Sequence, residues 1–206
     1  MEPYKSPLTI AEAEFTEKKS RFISHVAPVH SEEEALLFLE SVREKHRIAT
    51  HNVYSYRIKC GNICRYSDDG EPSGTASMPL LDVFVKQDVY DFCCVATRYF
   101  GGVMLGAGGL VRAYSRCGVI ALEASGVGVV REMAQCSVSL TYPQYEAVRM
   151  QLATHGAEIV SEDFSEVILL KFQLPLDNLP KLTCAVLEIS SGLVRISEEG
   201  KCCSFF

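Results

Sequence analysis

The run DFCCVATRYFGGVMLGAGGLVRAYSRCGVIALEA leads an apolar stretch into five glycines, Gly101, Gly102, Gly106, Gly108 and Gly109, and then into a helical pattern. Few arrangements suit such a run. Its apolar part predicts a buried strand, its glycines a turn made mostly of backbone, and the remainder a helix. A strand-to-helix turn of this kind aims amides outward at the positive end of a helix, the geometry that holds anions. Arg98 stands just before the turn, and Arg112 and Arg116, four residues apart, share one helix face. Two readings stay open: tight strand–helix packing without a ligand, and contact with an anion or phosphodiester. Known nucleotide motifs do not fit. Gly101 and Gly106 have the Walker spacing, but Ala107 and Gly108 replace its Lys and Ser/Thr, and Val111 stands where a dinucleotide fingerprint has its third glycine.

The stretch RYSDDGEPSGTASMP is the second candidate. Asp69-Gly70 is a turn signal, and Pro72 keeps Glu71 extended. Ser73 or Thr75 is expected to cap the following helix, with Pro79 in its first turn. Turn chemistry does not explain Asp68, Asp69 and Glu71 together, because neighbouring carboxylates repel unless a cation or several donors offset them. His51, at the start of a strand, could pair with one of them in an acid/base or metal site, or be an ordinary hydrogen-bonded histidine. Ser73 is not on a nucleophile elbow, since GEPSG is not G-x-S-x-G.

The rest of the chain reads as α+β. TIAEAEFTEK and SRFISHVAPV alternate as strands, Ser31 caps a helix over SEEEALLFLESVREKH, HNVYSYRIK and ICRYS are strands, and MPLLDVFVKQ is a short helix. Gly126 and Gly128 mark the expected boundary between two domains, 1–128 and 129–206. The second half reads strand, helix, two strands, helix, strand, which is the ferredoxin-like order. Nine cysteines show no zinc or disulfide spacing and are expected to be free, mostly buried thiols. With no long apolar run and no basic-apolar leader at its start, the chain is expected in the cytoplasm. Its net charge of −6 provides no general basic footprint, so nucleic-acid contact would need a local cluster of Arg and Lys.

Together with ATHNVYSYRI, the segments SDDGEPSGTASMPLL and VATRYFGGVMLGAGGLVRAYS resemble the signature of the YigZ/Impact family almost without gaps. The resemblance extends over essentially the whole chain. It implies an amino-terminal α+β domain like the second domain of a small-subunit ribosomal protein and elongation factor G domain IV. It also implies a ferredoxin-like carboxy-terminal domain like elongation factor G domain V. Eukaryotic members regulate translation under amino-acid starvation through protein contacts, whereas the bacterial role is poorly defined. The family brings no established catalytic residues, so none is assigned, and no metal or cofactor is expected. The motif positions carried over are Thr50, His51, Asn52 and Tyr54, the loop Asp68 to Thr75, Arg98, Tyr99, the five glycines, Arg112 and Tyr114.

The binding candidates are therefore His51, Asp68, Asp69, Glu71, Ser73, Thr75, Arg98, Tyr99, Gly101, Gly102, Gly106, Gly108, Gly109 and Arg112. The two segments are expected to meet on one face. Through it a non-enzymatic protein would contact RNA, the ribosome or a translation-related protein, and not a membrane. The alternative is a metal- or carboxylate/His-dependent enzyme acting on a small anion. Gly101→Val and Gly108→Val are expected to destabilise the fold if these positions need positive φ or close packing, and Arg112→Ala to leave it within roughly 1 kcal/mol if exposed.

Overall fold

The computed structural model describes residues 2–205. These form two compact units, one of Tyr4–Val129 and one running from Val130 onward together with the first residues of the chain.

In the first unit β1 (Tyr4–Pro7) precedes a hairpin of β2 (Ala11–Glu17) and β3 (Ser20–Pro28). Then come α1 (Glu32–Lys45), β4 (His51–Ile58), β5 (Ile63–Ser67), α2 (Ser77–Lys86), β6 (Phe92–Tyr99) and α3 (Ala107–Ser125). The sheet order is β2-β3-β6-β4-β5, with every neighbour antiparallel. Strand β6 is central, and helices cover both faces. Phe22, Val53, Cys94 and Ala96 pack under Leu80 and Phe84 of α2 and Leu110, Tyr114 and Cys117 of α3. On the opposite face Ala27, Tyr56, Cys93 and Val95 pack under Ala35, Leu39 and Val42 of α1. Alternate residues of a strand point to opposite faces. Because both faces are dry here, β6 reads as one continuous apolar run.

Helix α1 starts as its sequence dictates. The Ser31 side chain accepts from the Glu34 amide at 3.2 Å, three glutamates fill the first turn, and Arg43 and Lys45 lie in the last. Cysteine burial is less complete than the composition implies. Cys93, Cys94, Cys117 and Cys136 are buried, while Cys60 and Cys184 are exposed. Burial pushes the Cys93 and Cys117 thiols up to about 12, so they stay protonated and inert.

His25 of β3 lies beneath α1, with Nδ1 3.2 Å from a Glu12 carboxylate oxygen and its ring 4.9 Å from that of His46. Burial, which outweighs the pull of Glu12, brings its pKa down to about 4. The unfolded chain, with an ordinary value near ~6.5, binds this proton first as pH falls. The contribution of the neutral imidazole is thus complete above that value and is lost on the way down to about 4. Unfolding free energies from denaturant titrations between pH 7 and pH 4.5 are expected to fall by up to about 1.4 kcal/mol per pH unit from this group, and His25→Asn should flatten that slope.

The second unit contains β7 (Val127–Leu140) from Val130 on, α4 (Tyr142–Thr154), β8 (Glu158–Phe164), β9 (Ile168–Pro175), α5 (Leu179–Ile189) and β10 (Ile196–Phe205). These strands are antiparallel in the order β10-β7-β9-β8, the ferredoxin-like arrangement that the element order predicts. Val138, Leu140, Leu170 and Phe172 form its core with Val148, Leu152, Leu182 and Val186 of the two helices. Thr141 and Gln144 close a capping box at the start of α4. Among the described residues no helix is long and apolar enough to cross a membrane. The chain is thus an α+β protein of two compact units.

Candidate functional site

Strand register brings the two signature segments together. His51 of β4 and Phe22 of β3 are both cross-strand neighbours of Arg98 on β6, so all three share the face covered by α2 and α3. After β5 the chain folds back over this end of the sheet and carries Glu71 inward. One Glu71 carboxylate oxygen accepts from Arg98 Nη1 at 2.6 Å and from the Tyr114 hydroxyl of α3 at 2.8 Å. Glu71 and Arg98 are only 7% and 5% exposed, so this is a buried ion pair. Arg98 Nη2 also donates to Ser20 Oγ at 3.3 Å, and its guanidinium carbon lies 5.6 Å from the centre of the Phe22 ring. Burial, reinforced by the adjacent carboxylate, pushes the Tyr114 hydroxyl far above its ordinary range and keeps it a donor.

The other two carboxylates of the loop are engaged as well. Asp68 accepts from the Gly74 amide at 2.8 Å, the Ala76 amide at 3.2 Å, and the amide and hydroxyl of Ser77, both at 2.8 Å. It therefore caps α2 from nine residues upstream. The expected caps do not serve: Thr75 Oγ1 donates to the Pro72 carbonyl, and Ser73 is exposed. Burial alone would raise the Asp68 pKa, but these donors outweigh it and hold the carboxylate low. Asp69 accepts from the Asn52 amide at 2.6 Å, and its carbonyl takes a hydrogen bond from His51 Nδ1 at 2.7 Å. With that proton placed on Nδ1, His51 Nε2 faces Glu71 at 3.9 Å, too far for a hydrogen bond. Donors from the protein itself thus offset the repulsion within SDDGE. Among the described residues, no three His, Cys, Asp or Glu side chains are grouped so as to hold a metal ion.

The glycine turn leaves the buried pair and comes to the surface. Gly101 passes so close to the hairpin that its amide donates to Ser20 Oγ at 3.3 Å. Gly102 is exposed, and Gly106 ends the turn with φ 74° as the residue before α3. No side chain caps α3 and no acidic residue lies in its first turn, which contains Gly108 and Gly109. Val103 and Met104 stand exposed on the turn, and Phe100 at its start. Arg112 is exposed one turn further along α3.

The structure therefore joins Glu71, Arg98 and Tyr114 in one hydrogen-bonded hub, places His51, Asp68 and Asp69 beside it on partners of their own, and leaves Ser73, Gly102, Gly106, Gly108 and Arg112 at the surface. Tyr99 is not part of the hub. It is one residue on from Arg98 and so points to the α1 face, where its hydroxyl lies 2.9 Å from His46 Nδ1. Sequence inspection overlooks Lys18 and Phe15, which the hairpin carries alongside the first half of α3, from Gly109 to Arg116. The signal was legible only as a Lys-Lys pair between two strands.

A family model described as the Impact N-terminal domain matches residues 18–122. The IMPACT family member YigZ of Escherichia coli is 30% identical over 194 residues, covering 93% of this chain and 94% of that one. Protein IMPACT of Mus musculus is 37% identical over 95 residues, covering 44% of this chain and 30% of that protein. A crystal structure of a protein described as hypothetical superposes with a TM-score of 0.63 at 29% identity, covering 97% of this chain and all of that one.

Proposed function

The chain belongs to the Impact family, and from that premise we propose that it is a non-enzymatic, translation-associated regulator that docks on structured RNA, including the RNA of the ribosome. It works in the cytoplasm. The docking surface is the outer side of the glycine turn and the start of α3, with the SDDGEPSG loop as its buttress.

One observation carries this reading. The charged groups expected to do chemistry are held by one another or by backbone and hydroxyl partners, whereas Lys18 and, along the first half of α3, Arg112 and Arg116 are exposed, and no carboxylate among the described residues lies within ion-pair distance of them. Fixed interior charges with unpaired cations outside suit a scaffold that meets an anionic partner better than a site that moves protons. Phe100, Val103 and Met104 beside these cations provide apolar surface on which a base could rest. A local cluster of this kind serves in a protein whose net charge is −6.

The test is co-sedimentation of the purified chain with ribosomes, and a gel shift with a structured RNA, between 50 and 300 mM salt. Binding should weaken steeply as salt rises, because phosphate contacts release counterions. If the protein stays at the top of the gradient at the lowest salt and shifts no RNA, the RNA reading is wrong. A protein captured in its place would assign this face to protein contact.

A further inference from the structure

The β2–β3 hairpin, Leu105 and α3 enclose a cleft of about 240 Å³ lined by Phe15, Glu17, Lys18, Gly109, Arg112 and Arg116. Three cations face one carboxylate, and no ion pair joins any of the three to an acidic residue among the described residues. Arg112 is placed against electrostatic preference. A Cβ built on Gly108 would lie 3.7 Å from Arg112 Nη1, so the guanidinium sits over the first turn of α3. That turn already exposes amides without helical acceptors, and its end carries partial positive charge. A cation there, with neither a capping side chain nor an acidic residue in that turn and with Glu17 of the cleft beyond ion-pair distance, is short of a negative charge.

Arg116 is held ready. Its guanidinium carbon lies 4.3 Å from the centre of the Phe15 ring, and Phe15 stacks in turn on Phe22 at 5.1 Å. Phe22 meets Tyr114 edge-on at 5.5 Å, which ties the cleft wall to the Glu71 hub. Size narrows the ligand further. The cleft is smaller than the roughly 300–1,000 Å³ of pockets that enclose whole small molecules, so it suits one charged group of a larger molecule.

We infer that this cleft is a phosphate subsite, in which Lys18, Arg112, Arg116 and the first amides of α3 hold one phosphate group. That group is a phosphodiester of an RNA strand or the terminal phosphate of a small phosphorylated molecule. The inference deepens the docking reading above and rests on it for the RNA source only.

The test uses the full chain. Binding of inorganic pyrophosphate is followed by calorimetry at low salt, and binding of a labelled RNA by anisotropy across a salt series. The variants are Arg112→Gln/Arg116→Gln, Lys18→Gln, and Lys86→Gln as a control at the end of α2 that matches the single charge lost in Lys18→Gln, each checked for folding by circular dichroism. Wild type and Lys86→Gln should bind pyrophosphate, and pyrophosphate should compete with the RNA. The double variant should lose about tenfold or more in affinity for both ligands, and its slope of log K against log salt should fall by about one. Lys18→Gln should lose in the same direction, by less. Pyrophosphate binding that the variants abolish, with no RNA or ribosome bound by wild type, would keep the subsite and discard the docking reading. RNA binding equal in all four proteins, with no pyrophosphate bound, would keep the docking reading and overturn the subsite.

Discussion

Replacing Glu71 with alanine is expected to destabilise the amino-terminal unit by about 3–5 kcal/mol, measured as the urea midpoint followed by circular dichroism. The substitution removes the only carboxylate within ion-pair distance of Arg98 among the described residues, and it leaves the Tyr114 hydroxyl without its acceptor. Arg98 cannot turn elsewhere: it is 5% exposed, and its Nε already has no partner among the described residues. Most of the loss is the cost of stranding a buried charge. Glu71→Leu combined with Arg98→Met should therefore recover a large part of it, since an apolar pair of similar volume strands no charge and leaves only the Tyr114 hydroxyl without its acceptor. A loss below about 1 kcal/mol for Glu71→Ala would mean that the guanidinium is hydrated and open to an outside ligand.

Gly101→Ala is expected to be at least as damaging, above about 4 kcal/mol or enough to prevent folding. Its Cβ would collide with the Lys19 carbonyl and come within 2.6 Å of the Ser20 nitrogen. Both are backbone atoms of a hairpin whose second strand is paired on each side, so no rotamer change relieves the clash. Gly108→Ala should behave differently. Its nearest neighbour would be the flexible end of Arg112, its backbone is helical, and alanine is the better helix former, so a gain of up to about 1 kcal/mol is expected. Positive φ and close packing, the two conditions that would have made Gly108→Val harmful, are both absent there. Thermal melts of the two alanine variants side by side would separate a backbone contact from a mere glycine preference.

How much of this was legible beforehand follows from the range of each interaction. Element order was readable because strand and helix periods are local: the apolar run of β6, the Ser31 cap and the β-α-β-β-α-β order of the second unit all appear in short windows. The cap of α2 was not, because Asp68 reaches Ser77 across an irregular loop, whereas sequence rules seek a cap next to the helix. Arg98 and Tyr99 are adjacent positions of the motif that carries the family resemblance, yet a strand sends them to opposite faces. Lys18 was invisible as a site residue because nothing in the chain near residue 18 announces that the hairpin ends beside α3.

The central strand has one more consequence. Cys93 and Cys94 lie under opposite layers of helix, and Cys117 sits inside α3 itself. An alkylating reagent can reach each thiol only during an excursion that lifts the layer covering it. Their labelling half-lives thus time the separate openings of the two helical layers, with exposed Cys60 as the zero of the clock.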